Sequence, residues 1–259
     1  MYLAMSIAAS GLRNQQLRID SIANNLSNAN TIGYKNARLD FKDSLYTVGL
    51  HPGLNRSMDA NIQKGHGLMP NAITRDFKPG HFERTERELD FAIENEGFFA
   101  FSSPTGEVVY GRSGVFNLSV EPGGTFLVNG EGLYVLDQNE NRIMVPFGAT
   151  RVSSDVDGTL RFLNGNNELM GETTLGIFTF RNIKGLMTAG SSTFAETPAS
   201  GARRPAENAV LRQGVLEGSN VNLAEEMSRI IRTQRAFQLA SRAVSTADDM
   251  EGIANNMRR

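Results

Sequence analysis

Apolar and polar positions repeat with a helical period at both ends of the chain and with a strand-like period in the middle. Near the start, Met5, Ala8, Leu12, Ile19, Ile22 and Leu26 keep the alternating three-and-four spacing of a heptad seam, with Gln15 at its one polar position. The spacing predicts an amphipathic helix from about Ala4 to Asn28. Asn28, Asn30 and Gly33 tolerate turn or left-handed backbone, which ends the helix before Tyr34. Near the other end, Leu223, Met227, Ile230, Gln234, Phe237 and Val244 trace the same spacing. Ser241 is a polar step, and Ile231, Ala240 and Ala247 widen the stripe. This predicts a second helix over about 223–255. Asn220 or Asn222 is its N-cap, and Glu225 and Glu226 sit near the positive end of the dipole in reach of Arg229.

All eight prolines lie between Pro52 and Pro205, so neither predicted helix is interrupted. In the middle, Phe98–Ser102, Val108–Tyr110, Val115–Val120, Thr125–Val128, Leu133–Leu136 and Leu175–Phe180 read as strands. The turn sequences Ser103-Pro104-Thr105-Gly106, Glu121-Pro122-Gly123-Gly124, Asn139-Glu140-Asn141 and Asp157-Gly158 separate them. The expected organisation is a terminal helix and its flank over 1–43, an extended connector over 44–82, a β-rich domain over 83–205 and a C-terminal helical segment over 206–259. The fold class is α+β: terminal helices packed as an antiparallel coiled coil, with a central antiparallel β domain. Two long apolar stripes flanking an unrelated β domain need a cover. Pairing with each other in an intramolecular hairpin and packing against other copies remain equally open on periodicity alone.

Composition narrows the function. The 26 Lys and Arg nearly balance the 28 Asp and Glu, so no global field recruits nucleic acid or an anionic membrane. No cysteine is present, which excludes disulfides and thiolate metal sites and is compatible with export. The start of the chain lacks the basic region of a cleaved secretory signal. No run of about 18 apolar residues is long enough to span a bilayer.

Candidate chemistry is sparse. His51, His66 and His81 are evenly spaced but sit beside glycine or proline in an irregular stretch, where loop histidines are the simpler reading than a metal site. Glu83, Glu86, Glu88, Asp90, Glu94 and Glu96 are interrupted by Arg84 and Arg87, so a charged surface explains them better than a catalytic carboxylate pair. Arg229, Arg232 and Arg235 form a basic row with acids nearby, which reads as a solvated or subunit-contacting face. Phosphate loops, nucleophile elbows and zinc-protease helices are absent from the sequence. No cofactor and no small-molecule substrate are expected. Gln15, Gln234 and Ser241 either fix register on the seams or lie at their wet margins. The asparagines Asn24, Asn25, Asn28 and Asn30 either terminate the helix or form an amide network.

Three sets of motifs carry a resemblance. Asn24-Asn25-Leu26-Ser27-Asn28-Ala29-Asn30-Thr31-Ile32-Gly33-Tyr34-Lys35 is similar to the N-terminal signature of the flagellar rod and hook protein family, with Ser27 where Ala is usual. Gly218-Ser219-Asn220-Val221-Asn222, Glu225-Glu226-Met227 and Thr233-Gln234-Arg235-Ala236-Phe237 resemble its C-terminal signature, with Phe237 where Tyr is common. Glu88-Leu89-Asp90-Phe91-Ala92-Ile93, Gly97-Phe98-Phe99 and Tyr110-Gly111-Arg112-Ser113-Gly114-Val115-Phe116 look like its β-domain landmarks, with Ser113 in place of Asp. The length fits the distal rod type; a proximal rod or hook-type subunit is the alternative, and a carboxylate hydrolase a remote one. The resemblance implies a structural protein of the basal-body rod, exported by the flagellar type III apparatus. Its terminal helices would line the inside of a helical homopolymer that contacts other rod and hook subunits and transmits torque. It further implies that the quoted terminal residues, together with the seam positions, are the assembly contacts.

Overall fold

The structure is a computed structural model that describes residues 2–49, 62–103, 106–190, 192–206 and 208–257. It divides into two compact units. One comprises the described residues of Met1–Ser27, Ala37–Arg75 and Asn222–Arg259, and the other those of Asn28–Asn36 and Asp76–Val221. His51 and the turn residues Pro104 and Thr105 lie outside the described residues.

The first unit is built on two helices, α1 (Tyr2–Ser27) and α2 (Leu223–Asn256). Neither is long and apolar enough to cross a membrane. β1 (Ala37–Asp43) follows the first helix, and the described residues of the stretch read from sequence as an extended connector over 44–82 carry three further strands, β2 (Tyr46–Gly49), β3 (Ile62–Gly65) and β4 (Leu68–Arg75). β1 pairs antiparallel with β4, from Ala37 opposite Arg75 to Asp43 opposite Leu68, with a register shift after Asp40; β2 pairs with β3. Gly65 ends β3, Gly67 precedes β4 and Pro70 lies in the register-shifted part of the ribbon, where a missing N–H is tolerated, while Pro52 and Gly53 lie outside the described residues.

The second unit is a β structure whose central strands are β7 (Phe98–Ser102) and β8 (Val108–Gly111), following β5 (Phe82–Arg84) and β6 (Phe91–Ile93). β9 (Phe116–Glu121) and β10 (Gly124–Asn129) form a hairpin. β10 continues through β11 (Tyr134–Val135) to β7, so sequential hairpins build one antiparallel sheet. Period-two alternation along β7 explains the two-sided core. Phe99 and Phe101 face a cluster with Phe91, Phe116 and Leu127, while Phe98 and Ala100 face one with Tyr110, Phe178, Phe180 and Phe194. Phe116 meets Phe99 edge-on at 5.3 Å, and Phe98 meets Phe77 edge-on at 5.5 Å. The segment 206–221, assigned to the helical end from sequence, instead belongs to this unit. Leu211–Gln213 pairs with β6, and Val215–Glu217 pairs with β5. Its short strands lack enough residues to display a period of two.

Candidate assembly interface

The end of α1 and the start of α2 meet within the helical unit. Asn25, 1% exposed, closes a reciprocal pair with the strand that follows it: its Oδ1 accepts from Ala37 N at 3.0 Å, and its Nδ2 donates to Ala37 O at 2.8 Å. The same Nδ2 lies 3.5 Å from the Glu226 carboxylate in the first turns of α2. Glu226 is buried and accepts from Arg229 at 2.7 Å, and Arg229 also reaches Glu225 at 2.5 Å. Asn222 caps α2, its side chain accepting from the backbone N–H groups of Ala224 and Glu225. A second row on α1, one step from the apolar seam, addresses the ribbon. Asn14 donates to Leu68 O at 2.7 Å, Ser21 to Ala37 O at 3.5 Å, and Arg18 stacks over Phe41. Sequence reasoning missed this polar row; Asn14, Arg18, Ser21 and Asn25 at steps of four and three were its signal.

Burial along α2 differs from the seam read in the sequence. The less exposed positions include Glu226, Ile230, Thr233, Phe237, Ala240, Val244 and Ala247, repeating at four and three, with Arg229 and Ala236 beside them. Leu223, Met227, Gln234, Arg235 and Ser241 face outward, and Leu223, Met227 and Ile231 are about half exposed. Hydrophobicity alone placed the seam on the widest apolar face, whereas the covered face carries the polar Glu226 and Thr233. On α1, Leu12, Ile19 and Leu26 are half-buried, Ile22 is buried and Asn24 is exposed.

The rest of the N-terminal signature folds into the β unit. Asn28 O accepts from Thr31 N, and Thr31 O from Tyr34 N, a tight turn in which Gly33 takes φ +70°. Asn28 and Asn30 have no positive φ, so Gly33 alone supplies the left-handed step. A side chain there would strike the backbone nitrogen of Ser113 at 2.6 Å. Thr31 also donates to the Asn28 side chain; Asn30 is exposed and Val221 half-buried.

Tyr34 is buried, and next to it Lys35 enters a fully enclosed charge cluster. Its Nζ lies 2.6 Å from Glu217 and 2.7 Å from Lys78 O, and the guanidinium of Arg112 stands 3.6 Å from the other Glu217 oxygen. Burial lowers the affinity of Lys35 and of Arg112 for their protons, and in each case Glu217 works in the opposite direction. Arg112 also donates to Ile93 O and Asn95 O, and Glu217 accepts from Gly80 N. Asn220 completes the junction, accepting from Asn36 N at 2.7 Å and donating to Asp76 O and Lys78 O. The three sequence motifs thus converge at one point in the β unit.

His66 is exposed, His81 is exposed and paired with Glu83, and no cluster of three metal-ligating side chains occurs among the described residues.

Three family models match the chain in order. The Flagella basal body rod protein model covers residues 5–35, the Flagellar hook protein FlgE/F/G D1 domain 92–162, and the Flagellar basal body rod FlgEFG protein C-terminal model 212–257. The flagellar basal-body rod protein FlgG of Borreliella burgdorferi is 36% identical across 100% of both chains. That of Agrobacterium fabrum is 32% identical over 97% of this chain and 98% of its own. That of Bacillus subtilis is 33% identical over 96% and 97%. The chain belongs to the flagellar basal-body rod protein family. It is a structural rod subunit of the flagellum and not an enzyme. The first and last rod-family matches each span both units, carrying an α-helix together with the signature segment that enters the β unit.

Proposed function

We propose that this rod subunit polymerises with copies of itself into the helical tube of the rod, in its distal part, and transmits torque from motor to hook. The observation that carries this reading is the imbalance of the helical unit. Among its described residues Ile22 is the one buried hydrophobic side chain, whereas Asn14, Asn25, Glu226 and Thr233 are buried and polar. Leu223, Met227 and Ile231 on α2, Leu17 on α1, and Leu68, Met69 and Ile73 on β4 remain exposed. Neighbouring copies would cover these faces, and the four-and-three repeat of α2 would then pack as an antiparallel coiled coil with α1 in the tube core. Open heterologous contacts of this kind generate helical polymers. Marginal helical ends also suit delivery of an unfolded chain by the flagellar type III apparatus. The interface residues named from sequence belong to this proposal, with Leu223, Met227, Gln234 and Arg235 as contacts between subunits.

The double variant Met227→Asp/Ile231→Asp tests it. Its monomer should keep the wild-type circular dichroism spectrum, while incorporation into basal bodies and swimming are lost. Normal incorporation of this variant would overturn the reading.

A further inference from the structure

A groove of about 320 Å³ opens in the helical unit where the end of α1, β1 and the start of α2 come together. Arg18, Arg38, Arg229 and Arg232 line it against a single carboxylate, Glu226. Arg38 pairs with Asp40, and Arg229 with Glu225 and Glu226. Arg18 and Arg232 have no carboxylate partner among the described residues; Arg18 stacks on Phe41, and Arg232 donates to Ser228 O.

The opposite charge sits at the far end of the same helix. Asp248 and Asp249 are exposed and form no ion pair among the described residues. The positions three and four residues from them are Val244, Ser245, Thr246, Glu251, Gly252 and Ile253, so the helix offers no cation. The nearest basic residues along the chain are Arg242 and Arg258. Nor do the side chains at the start of α1 supply a cation: none from Met1 to Leu12 is charged. From Arg232 to Asp248 is sixteen residues, about 24 Å at the helical rise, well beyond the roughly 8 Å screening length at physiological salt. A continuous helix cannot bring its own aspartates to its own groove.

We propose that the groove receives the Asp248–Asp249 segment of a second copy, making a head-to-tail contact in which Arg18 and Arg232 neutralise two carboxylates. The inference rests on the polymerising-rod reading above and adds to it a polarity and a register. The start of α2 in one subunit faces the end of α2 in the next, and the contact weakens with salt.

Because the chain contains no cysteine, introduced thiols report without background. Cells would express Arg232→Cys and Asp248→Cys chains together, and isolated basal bodies would be oxidised. A disulfide-linked dimer that neither variant gives alone is expected. In parallel, the reversals Arg18→Glu/Arg232→Glu and Asp248→Arg/Asp249→Arg should each lower incorporation at least tenfold, and the chain carrying all four should recover most of it. Basal bodies that contain the chain but yield no such dimer, together with reversals that do not rescue each other, would overturn the head-to-tail contact and leave the rod reading standing. An Arg232→Cys disulfide formed only with a different subunit would overturn the choice of a second copy. A wild-type chain that never enters basal bodies would remove both.

Discussion

The two units solve the problem of burial in opposite ways. The β unit encloses Phe91, Phe98, Phe99, Phe101, Tyr110 and Phe116 almost completely, and seals even its charges, so that Lys35 and Glu217 have no side-chain exposure. The helical unit buries amides and one glutamate and leaves large aliphatic side chains in water. Close-packed apolar cores stabilise a chain by themselves, whereas a unit whose ordered contacts are mainly polar gains little net free energy from them. One unit is therefore finished as a monomer, and in the proposed assembly the other would be finished by its neighbours.

The harshest way to break this contrast is to open the sealed cluster. Glu217→Ala leaves Lys35 and Arg112 buried without a carboxylate and should cost about 3–5 kcal/mol, enough to unfold the β unit in urea titrations followed by aromatic circular dichroism. The equivalent insult to the helical unit is smaller. Asn25→Ala removes the partner of the Ala37 N–H and leaves the Ala37 carbonyl only the 3.5 Å contact from Ser21, and should cost about 1–3 kcal/mol, read as faster hydrogen exchange over β1 and the last turn of α1.

Proton linkage sharpens the comparison further. Burial holds the folded-state affinity of Lys35 for its proton below that of the ordinary amine at 10.5. The unfolded chain then binds more protons in the window below that value, so this residue's contribution to stability rises with pH there and is flat below the folded pKa. Urea midpoints across that window should rise less steeply with pH in Lys35→Met than in the parent. Smallest of all should be Met227→Asp/Ile231→Asp in the isolated subunit. With both positions about half exposed, its urea midpoint should move by no more than about 1 kcal/mol equivalent, although assembly fails.

Much of the framework was legible because it depends on local period. Predicted helices over about 4–28 and 223–255 correspond to Tyr2–Ser27 and Leu223–Asn256, and the strand read at Phe98–Ser102 is β7 itself. What escaped was set by partners distant along the chain. Val215–Glu217 is a strand only because Phe82–Arg84 lies beside it, and the 68–75 strand carries a mid-strand proline that its register shift accommodates. The α2 seam is covered in the subunit at Ile230, Phe237 and Val244 and open at the rest for a related reason. Periodicity marks an apolar face, which the proposed assembly would cover, and in the subunit that face is outward at Leu223, Met227 and Gln234. The enclosure of Lys35, Arg112 and Glu217 was not legible, because nothing local announces that three residues so widely separated will be buried together.

That enclosure has a bearing on synthesis. Lys35 belongs to the early part of the chain and Glu217 to the late part, yet each is the other's counterion inside a dry site. During vectorial emergence from the N-terminus, the β unit must wait, with its cations still hydrated, until residue 217 arrives. A chain ending prematurely before that point keeps this unit open and exchangeable. The ion pair thereby acts as a test of completeness, closing the domain only around a polypeptide that extends nearly to its second helix.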